Sequence, residues 1–426
     1  MVWSRREFLR AGSASAAAAA IGGANGCSSL PPGAPRVVVV GGGFAGATAA
    51  KYVRKWSDGG IAVTLIERER VFVSCPLSNL VLGGSRQLAD LTVPYDGLDK
   101  WGVRRITDEA LAVDPVAGTI QLAGGATVAY ERLILAPGID FMWDAIPSLN
   151  NPAAQQKVLH AWKAGAQTVA LRRQLEAMPD GGVFVIHVPM APYRCLPAPY
   201  ERACQVAHYF ATQKRKSKVL VLDANDELQS EKDLFTSAWN GRYRNYVEYR
   251  PNSNLLDVDV ATLTAKLDFD DVRADVLNII PPQRAGNIAR ALGMANANDR
   301  FCRVDFLTYE STAQRNIHIL GDAIQNAELM PKSGHMANQH AKVCAAAAVA
   351  LLTGGEVNQT PVIANTCYSY IDDKEVAHVA SVHRYDGERK TMRVVTGSGG
   401  VSPGPGTQEA RYAEAWARNI WADMLA

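Results

Sequence analysis

Three glycines at the end of a valine run, Gly41, Gly43 and Gly46, are followed by Glu67 at the end of the next apolar stretch. These residue types at this spacing hold a dinucleotide. Gly41 makes a tight turn, and Gly43 lets backbone amides approach a pyrophosphate where Phe44 and Ala45 open a helix. Gly46 permits that helix to lie close on its strand, and Glu67, 21 residues further on, can accept from a ribose hydroxyl. A second chemistry-bearing residue, Cys195, sits in the turn Pro189–Pro197, just after a second strand-like run. In a doubly wound unit that turn must be glycine-rich if it is to cradle the phosphates of a nicotinamide dinucleotide. Here it has no G-x-G-x-x-G, its prolines lack amide donors and its side chains block backbone approach. Electrons are therefore expected to enter from a donor other than NAD(P)H, with a cysteine in the place of the nicotinamide loop.

These residues need two nucleotide-type units to position them. Arg36–Val40 and Val63–Glu67 read as strands flanking the first helix, and Tyr130–Leu135 as a strand running into the turn Ala136-Pro137-Gly138. A second strand–turn–helix begins at Gly182–Val188, Lys218–Asp223 repeats the strand-then-acid ending, and Asp275–Pro282 closes that unit. Asn316–Leu320 is an apolar strand ending in Gly321-Asp322, and the alanine-rich segment His335–Leu352 is helical by composition. From about Gly354 a smaller region carries a Gly/Ser/Pro loop, 397–406, and a last helix with Tyr412, Trp416, Ile420 and Trp421. The expected class is α/β: two doubly wound dinucleotide-binding-type domains plus a small C-terminal α+β domain.

At 426 residues the chain exceeds what one core usually fills. The segment Ser4-Arg5-Arg6-Glu7-Phe8-Leu9-Arg10, before a mildly apolar alanine run, resembles a twin-arginine export signal, with cleavage expected between Ala24 and Leu30 and a periplasmic destination. Ala24-Asn25-Gly26-Cys27 is only a poor lipoprotein box. No stretch offers 18 uninterrupted apolar residues, so no transmembrane segment is expected. Without residues 1–26 the basic and acidic residues balance, which excludes the basic excess that nucleic acid or an anionic membrane surface would call for. Among seven cysteines, Cys204, Cys302 and Cys344 lie in apolar settings that suit core packing. The eight histidines show no metal-ligand spacing, and there is no C-x-x-C-H for a c-type haem.

The pattern Arg194-Cys195-Leu196-Pro197-Ala198-Pro199-Tyr200-Glu201 resembles the flavoprotein subunit of flavocytochrome c sulfide dehydrogenase, together with Cys367 in Ile363–Ser369, Cys75-Pro76-Leu77-Ser78-Asn79, Gly321-Asp322-Ala323 and Met330–His335. Sulfide:quinone oxidoreductases are close relatives of that family. The resemblance implies FAD held by the Gly41–Gly46 loop, Glu67 with Arg68, Ala136-Pro137-Gly138, Gly321-Asp322, Lys332 and Ser333, with Asp322 on the ribityl chain. It implies a thioether from Cys75 to the flavin, a redox disulfide between Cys195 and Cys367, and Glu201 as a proton acceptor. Cys367 is favoured as the sulfur facing the flavin. Sulfide is the implied substrate, and haem is carried only by a separate c-type cytochrome subunit. The implied domains are 1–30 (export signal), 31–147 with 285–353 (FAD), 148–284 (a Rossmann-like unit lacking the glycine loop) and 354–426 (flavin cover and cytochrome interface).

From the residues alone other readings stay open: packed thiols for the cysteines, a solvated helix carboxylate for Glu201 and a structural role for His335. At the level of function the alternatives are a membrane-docked sulfide:quinone oxidoreductase and a non-catalytic flavoprotein partner. The absence of a lysine cluster on the last helix, and Cys75 itself, weigh against the first of these.

Overall fold

A computed structural model describes residues 33–426; the twin-arginine segment, the cleavage region and Cys27 lie outside the described residues. Arg36–Val40 is the central strand of a five-stranded sheet in the order Ile317–Ile319, Arg132–Leu135, Arg36–Val40, Ala62–Glu67, Arg104–Thr107. All four pairings are parallel. Val37, Val38 and Val39 are buried without alternation, as expected where both faces of a parallel sheet are covered. The helices Phe44–Trp56 and Gly334–Thr353 pack along one another through small residues, among them Ala47, Ala50, Ala341 and Ala345, all fully buried. Gly334 is needed at that crossing, because a Cβ there would lie 2.9 Å from the Phe44 ring.

A second parallel sheet follows the order Val247–Arg250, Lys218–Asp223, Val183–Val188, Val276–Ile279. The chain passes between the two sheets along an antiparallel ribbon in which Ile139–Phe141 pairs with Gln283–Ala285. An antiparallel sheet of Val362–Tyr370, Val376–Asp386 and Thr391–Val394 completes the mixed α/β architecture, with the final helix Thr407–Leu425 packed on it and on Phe44–Trp56. The helix Ala198–Gln213 touches both Ser78–Gly83 and the strand Val362–Tyr370. Segments from all three regions thus converge at its N-terminus. Among the described residues no helix is long and apolar enough to cross a membrane.

Candidate functional site

The glycine loop has the form its sequence requires. Gly41 is left-handed at φ +97°, and a Cβ there would lie 2.4 Å from the Ala136 carbonyl oxygen. At Gly46 a Cβ would fall 1.7 Å from the Gly41 oxygen, so only glycine lets helix and strand approach. A Cβ at Gly43, by contrast, meets nothing within 4 Å. The first intrahelical bond runs from Ala47 N–H to Gly43 O at 3.1 Å, which leaves the amides of Phe44, Ala45 and Gly46 without an intrahelical acceptor. No side chain caps them and no acid occupies the first turn, so the positive end of the helix is open to an anion. Glu67 accepts from Gly42 N–H at 2.5 Å and Glu69 N–H at 2.8 Å, which holds its carboxylate beside the loop. Arg68 is exposed and lies 3.5 Å from Glu109.

Ala136 donates to Val40 O at 2.8 Å, and Gly138, at φ +64°, accepts from Gly286 N–H at 3.0 Å. This ties the Ala136-Pro137-Gly138 turn to the returning chain. Gly321 is also left-handed, at φ +69°, and turns the chain at Asp322. Asp322 Oδ2 lies 3.8 Å from an Arg194 nitrogen, while Oδ1 is buried with no hydrogen-bond partner among the described residues. A buried, unpaired carboxylate oxygen costs about 1–3 kcal/mol or more. A ribityl hydroxyl donated to Oδ1 would remove that cost, so the loop, the open helix end and Asp322 together fit FAD. Lys332 is buried, donates to the backbone oxygens of Asp322 (3.1 Å) and Ile324, and stands 3.9 Å over the Phe301 ring. Burial lowers its pKa to about 7, with Asp322 opposing. Its ammonium is thus committed to bracing the Asp322 turn. Ser333 caps the Gly334–Thr353 helix, accepting from Met336 N–H at 3.0 Å, and donates to Asn365 Oδ1 at 2.5 Å.

The sulfur residues come from three parts of the chain. Cys195 is held at φ +57°, a conformation that costs a non-glycine residue of order 1 kcal/mol, and its N–H donates to Lys332 O at 2.8 Å. Cys367 lies on the strand Val362–Tyr370, its sulfur 3.5 Å from the Asn365 amide nitrogen. Burial raises the Cys367 thiol to about 11, which the Asn365 hydrogen bond opposes and the acids Glu231 and Glu201 reinforce. Burial drives Cys195 well above the ordinary thiol range, and the proximity of Cys367 and Glu201 adds to it. Both are free thiols in this structure. The sulfur of Cys75 accepts from Arg194 Nη2 at 3.1 Å and Ala164 N–H at 3.4 Å.

Glu201 lies in the first turn of Ala198–Gln213, whose N-terminus carries prolines in place of a phosphate-binding loop. It is buried, accepting from Asn79 Nδ2 at 2.6 Å and Tyr370 N–H at 3.0 Å. Burial pushes its pKa up to about 7, against the Tyr370 and Asn79 hydrogen bonds and the Arg202 charge. The solvated-carboxylate reading is thereby excluded. Asp223, the acid ending the second unit's strand, is spent internally, accepting from Tyr200 Oη at 2.8 Å and Tyr249 Oη at 3.1 Å. Cys204, Cys302 and Cys344 are fully buried core thiols. His335 accepts from Thr366 N–H at 3.0 Å, a structural role.

Sequence reasoning did not single out Arg194, Asn79, Arg202, Glu231 or Asn365. Arg194 binds the Cys75 sulfur and the Trp162 carbonyl and faces Asp322, so one cation links the sulfur and the carboxylate assigned to the flavin. Arg202 is buried and donates to Asn79 Oδ1, Asn278 Oδ1 and the carbonyls of His160 and Ala161, all within 3.1 Å. Adjacency to Cys195 and the two-residue spacing from Cys367 were the available signals for Arg194 and Asn365. Asn79 ends the Cys75–Asn79 motif, but its meeting with Arg202, across 123 residues of sequence, left no signal.

Two parallel nucleotide-type sheets joined by an antiparallel ribbon, with cysteines gathered at the second unit's first turn, define an FAD-dependent oxidoreductase of the pyridine nucleotide-disulphide type, whose family model matches residues 35–185. The model for the central part of the sulfide dehydrogenase [flavocytochrome c] flavoprotein chain matches 168–281, and that for the flavin-binding part of flavocytochrome c sulphide dehydrogenase matches 359–425. The chain belongs to the flavocytochrome c sulfide dehydrogenase flavoprotein family. It is 61% identical over 49 residues to the sulfide dehydrogenase [flavocytochrome c] flavoprotein chain of Chlorobaculum thiosulfatiphilum, covering all of that sequence and 12% of this one. To the mitochondrial sulfide:quinone oxidoreductase of Dictyostelium discoideum it is 21% identical over 307 residues, 67% of this chain and 65% of that one. The fold is similar to that of the sulfide:quinone oxidoreductase from Aquifex aeolicus, with a TM-score of 0.75, 17% identity and 92% of each chain covered.

Proposed function

We propose that this chain is a periplasmic, FAD-dependent sulfide dehydrogenase that oxidises hydrogen sulfide to sulfur or polysulfide through a Cys195–Cys367 disulfide. Its electrons pass to a c-type cytochrome subunit, and Cys75 carries the flavin covalently. The observation that carries this reading is the placement of Cys195. It occupies the turn where a nicotinamide loop would lie, on a left-handed backbone bonded to Lys332 O, with Cys367 and the buried Glu201 close enough to raise its pKa.

The chain's own residues can carry out the following steps. Hydrogen sulfide gives its proton to Glu201, and hydrosulfide attacks the Cys195 sulfur. A new S–S bond forms as the Cys195–Cys367 bond breaks, and Cys367 leaves as a thiolate with the electron pair. A carboxyl of pKa about 7 suits proton transfer near neutral pH. The Asn365 amide, 3.5 Å from the Cys367 sulfur, favours the departing thiolate. Arg194, donating to the Cys75 sulfur at 3.1 Å, fixes the position of the sulfur that would form the thioether link. FAD, when bound, accepts electrons as a pair and releases them singly. With no C-x-x-C-H in the chain, a haem acceptor must reside on a separate polypeptide.

The test is anaerobic mixing of the holoprotein with sulfide. Sulfide should bleach the flavin and, with the cytochrome partner present, reduce cytochrome c. Cys195→Ser should abolish bleaching by sulfide and leave bleaching by dithionite intact. Rapid bleaching by NADH, with sulfide turnover unchanged in Cys195→Ser, would refute the assignment. A quinone-reducing role predicts instead that the protein fractionates with membranes and reduces a soluble quinone faster than cytochrome c.

A further inference from the structure

Glu231 is a second buried acid beside the thiol pair, with no part in the steps above. It precedes the helix Lys232–Asn240, is 7% exposed, and adopts the left-handed φ of +49°. Its Oε2 accepts from Ser369 Oγ at 2.6 Å, while Oε1 is buried with no hydrogen-bond partner among the described residues. Glu201 accepts from the backbone N–H of the next residue, Tyr370, at 3.0 Å. One strand end therefore holds both carboxyls. Ser369 lies two residues beyond Cys367 on that strand, so the two side chains share a face.

Glu231 also lines a cavity of about 590 Å³, bounded by residues of the Lys232–Asn240 helix, Arg242, Ile371 and the loop Val401–Pro405. The cations in its wall are committed elsewhere: Lys232 pairs with Glu227, and Arg242 with Asp372 and Glu375. Among the described residues Glu231 has no ion-pair partner. The titratable groups facing it are Glu201 from Ala198–Gln213, Cys367 from its strand, and Lys232, Asp233 and Arg242 at the cavity wall; the loop Val401–Pro405 adds only the Ser402 hydroxyl.

We propose that Glu231 is the outlet of a proton relay that carries the substrate proton from Glu201 to water in this cavity. The step rests on the sulfide reading above. It moves one proton and no electrons: protonated Glu201 gives its proton to ionised Glu231, which releases it into the cavity, and Glu201 returns to its anion for the next substrate. Two features favour transfer. The acceptor oxygen has no competing donor, and the proton affinities are close, burial having raised Glu231 to about 8 and Glu201 to about 7.

Glu231→Gln keeps the volume and an acceptor for Ser369, and removes the ionisation. The expected result is a slowing of sulfide-dependent flavin bleaching by roughly a hundredfold, at the lower end of general acid–base contributions, together with loss of one ionisation from its pH profile. Glu231→Asp should restore part of the rate. Ser369→Ala, which deletes the hydrogen bond favouring the anion, should shift the same ionisation upward; it carries the test if Glu231→Gln does not retain flavin. A readout independent of turnover is alkylation of Cys367 in the reduced protein. The Glu231 charge raises that thiol's pKa, so Glu231→Gln should speed alkylation at fixed pH. Wild-type rates, an unchanged pH profile and unchanged alkylation in both variants would overturn the relay. If sulfide fails to bleach the wild-type protein while dithionite succeeds, the sulfide reading fails and takes the assigned substrate with it. The coupling of Glu231 to the thiol pair is then decided by the alkylation arm.

Discussion

Replacing Glu201 by glutamine changes the pH dependence of stability in a way that separates a buried acid from a solvated one. Raising a carboxyl from its ordinary 4.5 to about 7 corresponds to on the order of 3 kcal/mol, at about 1.4 kcal/mol per tenfold change in proton affinity. Because the folded-state pKa is the higher, the folded protein holds this proton between pH 4.5 and 7 while the unfolded chain has released it. The contribution to stability is therefore complete below pH 4.5 and is lost as pH rises through 7. The glutamine side chain cannot ionise, so the variant escapes that loss. It keeps an acceptor for Tyr370 N–H but turns an amide toward Asn79 Nδ2, an unmade hydrogen bond that costs about 1–3 kcal/mol at every pH. The variant should be the less stable protein at pH 4.5. By pH 8 the difference should have moved about 3 kcal/mol in its favour. Urea unfolding at a series of pH values, following flavin and tryptophan fluorescence, gives the difference curve, in which the titrating groups remote from Glu201 cancel. Asn79→Ala removes a hydrogen bond to the anion and should extend the wild-type window upward. Difference curves that stay parallel within about 1 kcal/mol would show that Glu201 ionises as a solvated acid, and the reasoning would fail.

Gly46→Ala sets a methyl 1.7 Å from the Gly41 oxygen, so the variant should lose FAD, measured as the flavin absorbance per polypeptide after gel filtration. Cys75→Ser should leave a flavin that parts from the polypeptide on acid precipitation, while the wild-type precipitate stays yellow and its intact mass carries the added FAD. Arg202→Met removes the donor from Asn79 Oδ1, Asn278 Oδ1 and the Ala161 carbonyl, while the His160 carbonyl keeps Asn278 Nδ2, and should destabilise by about 3–5 kcal/mol in denaturant melts.

Local chemistry was legible in the chain itself. The Gly41–Gly46 turn, the parallel strands around it, the Gly321-Asp322 turn and the proline-filled second loop depend on backbone freedom and β-branched runs within a few residues, and such preferences act before any tertiary contact forms. The expectation that the second loop does not cradle a nicotinamide dinucleotide is of the same kind, since a proline lacks its amide donor in any fold. What tertiary structure alone decided is which side chains meet and how strongly water is excluded from them. Glu201 reads in sequence as an ordinary helix carboxylate. It becomes an acid of pKa about 7 only because the fold buries it, and Asn79 and Tyr370, brought from 122 and 169 residues away, donate to it and hold the rise in check. Arg194 becomes the cation between Cys75 and Asp322, and Glu231 a buried acid at a cavity wall with no ion-pair partner among the described residues, for the same reason. Desolvation depends on the surroundings gathered in three dimensions, and no spacing along the chain encodes it.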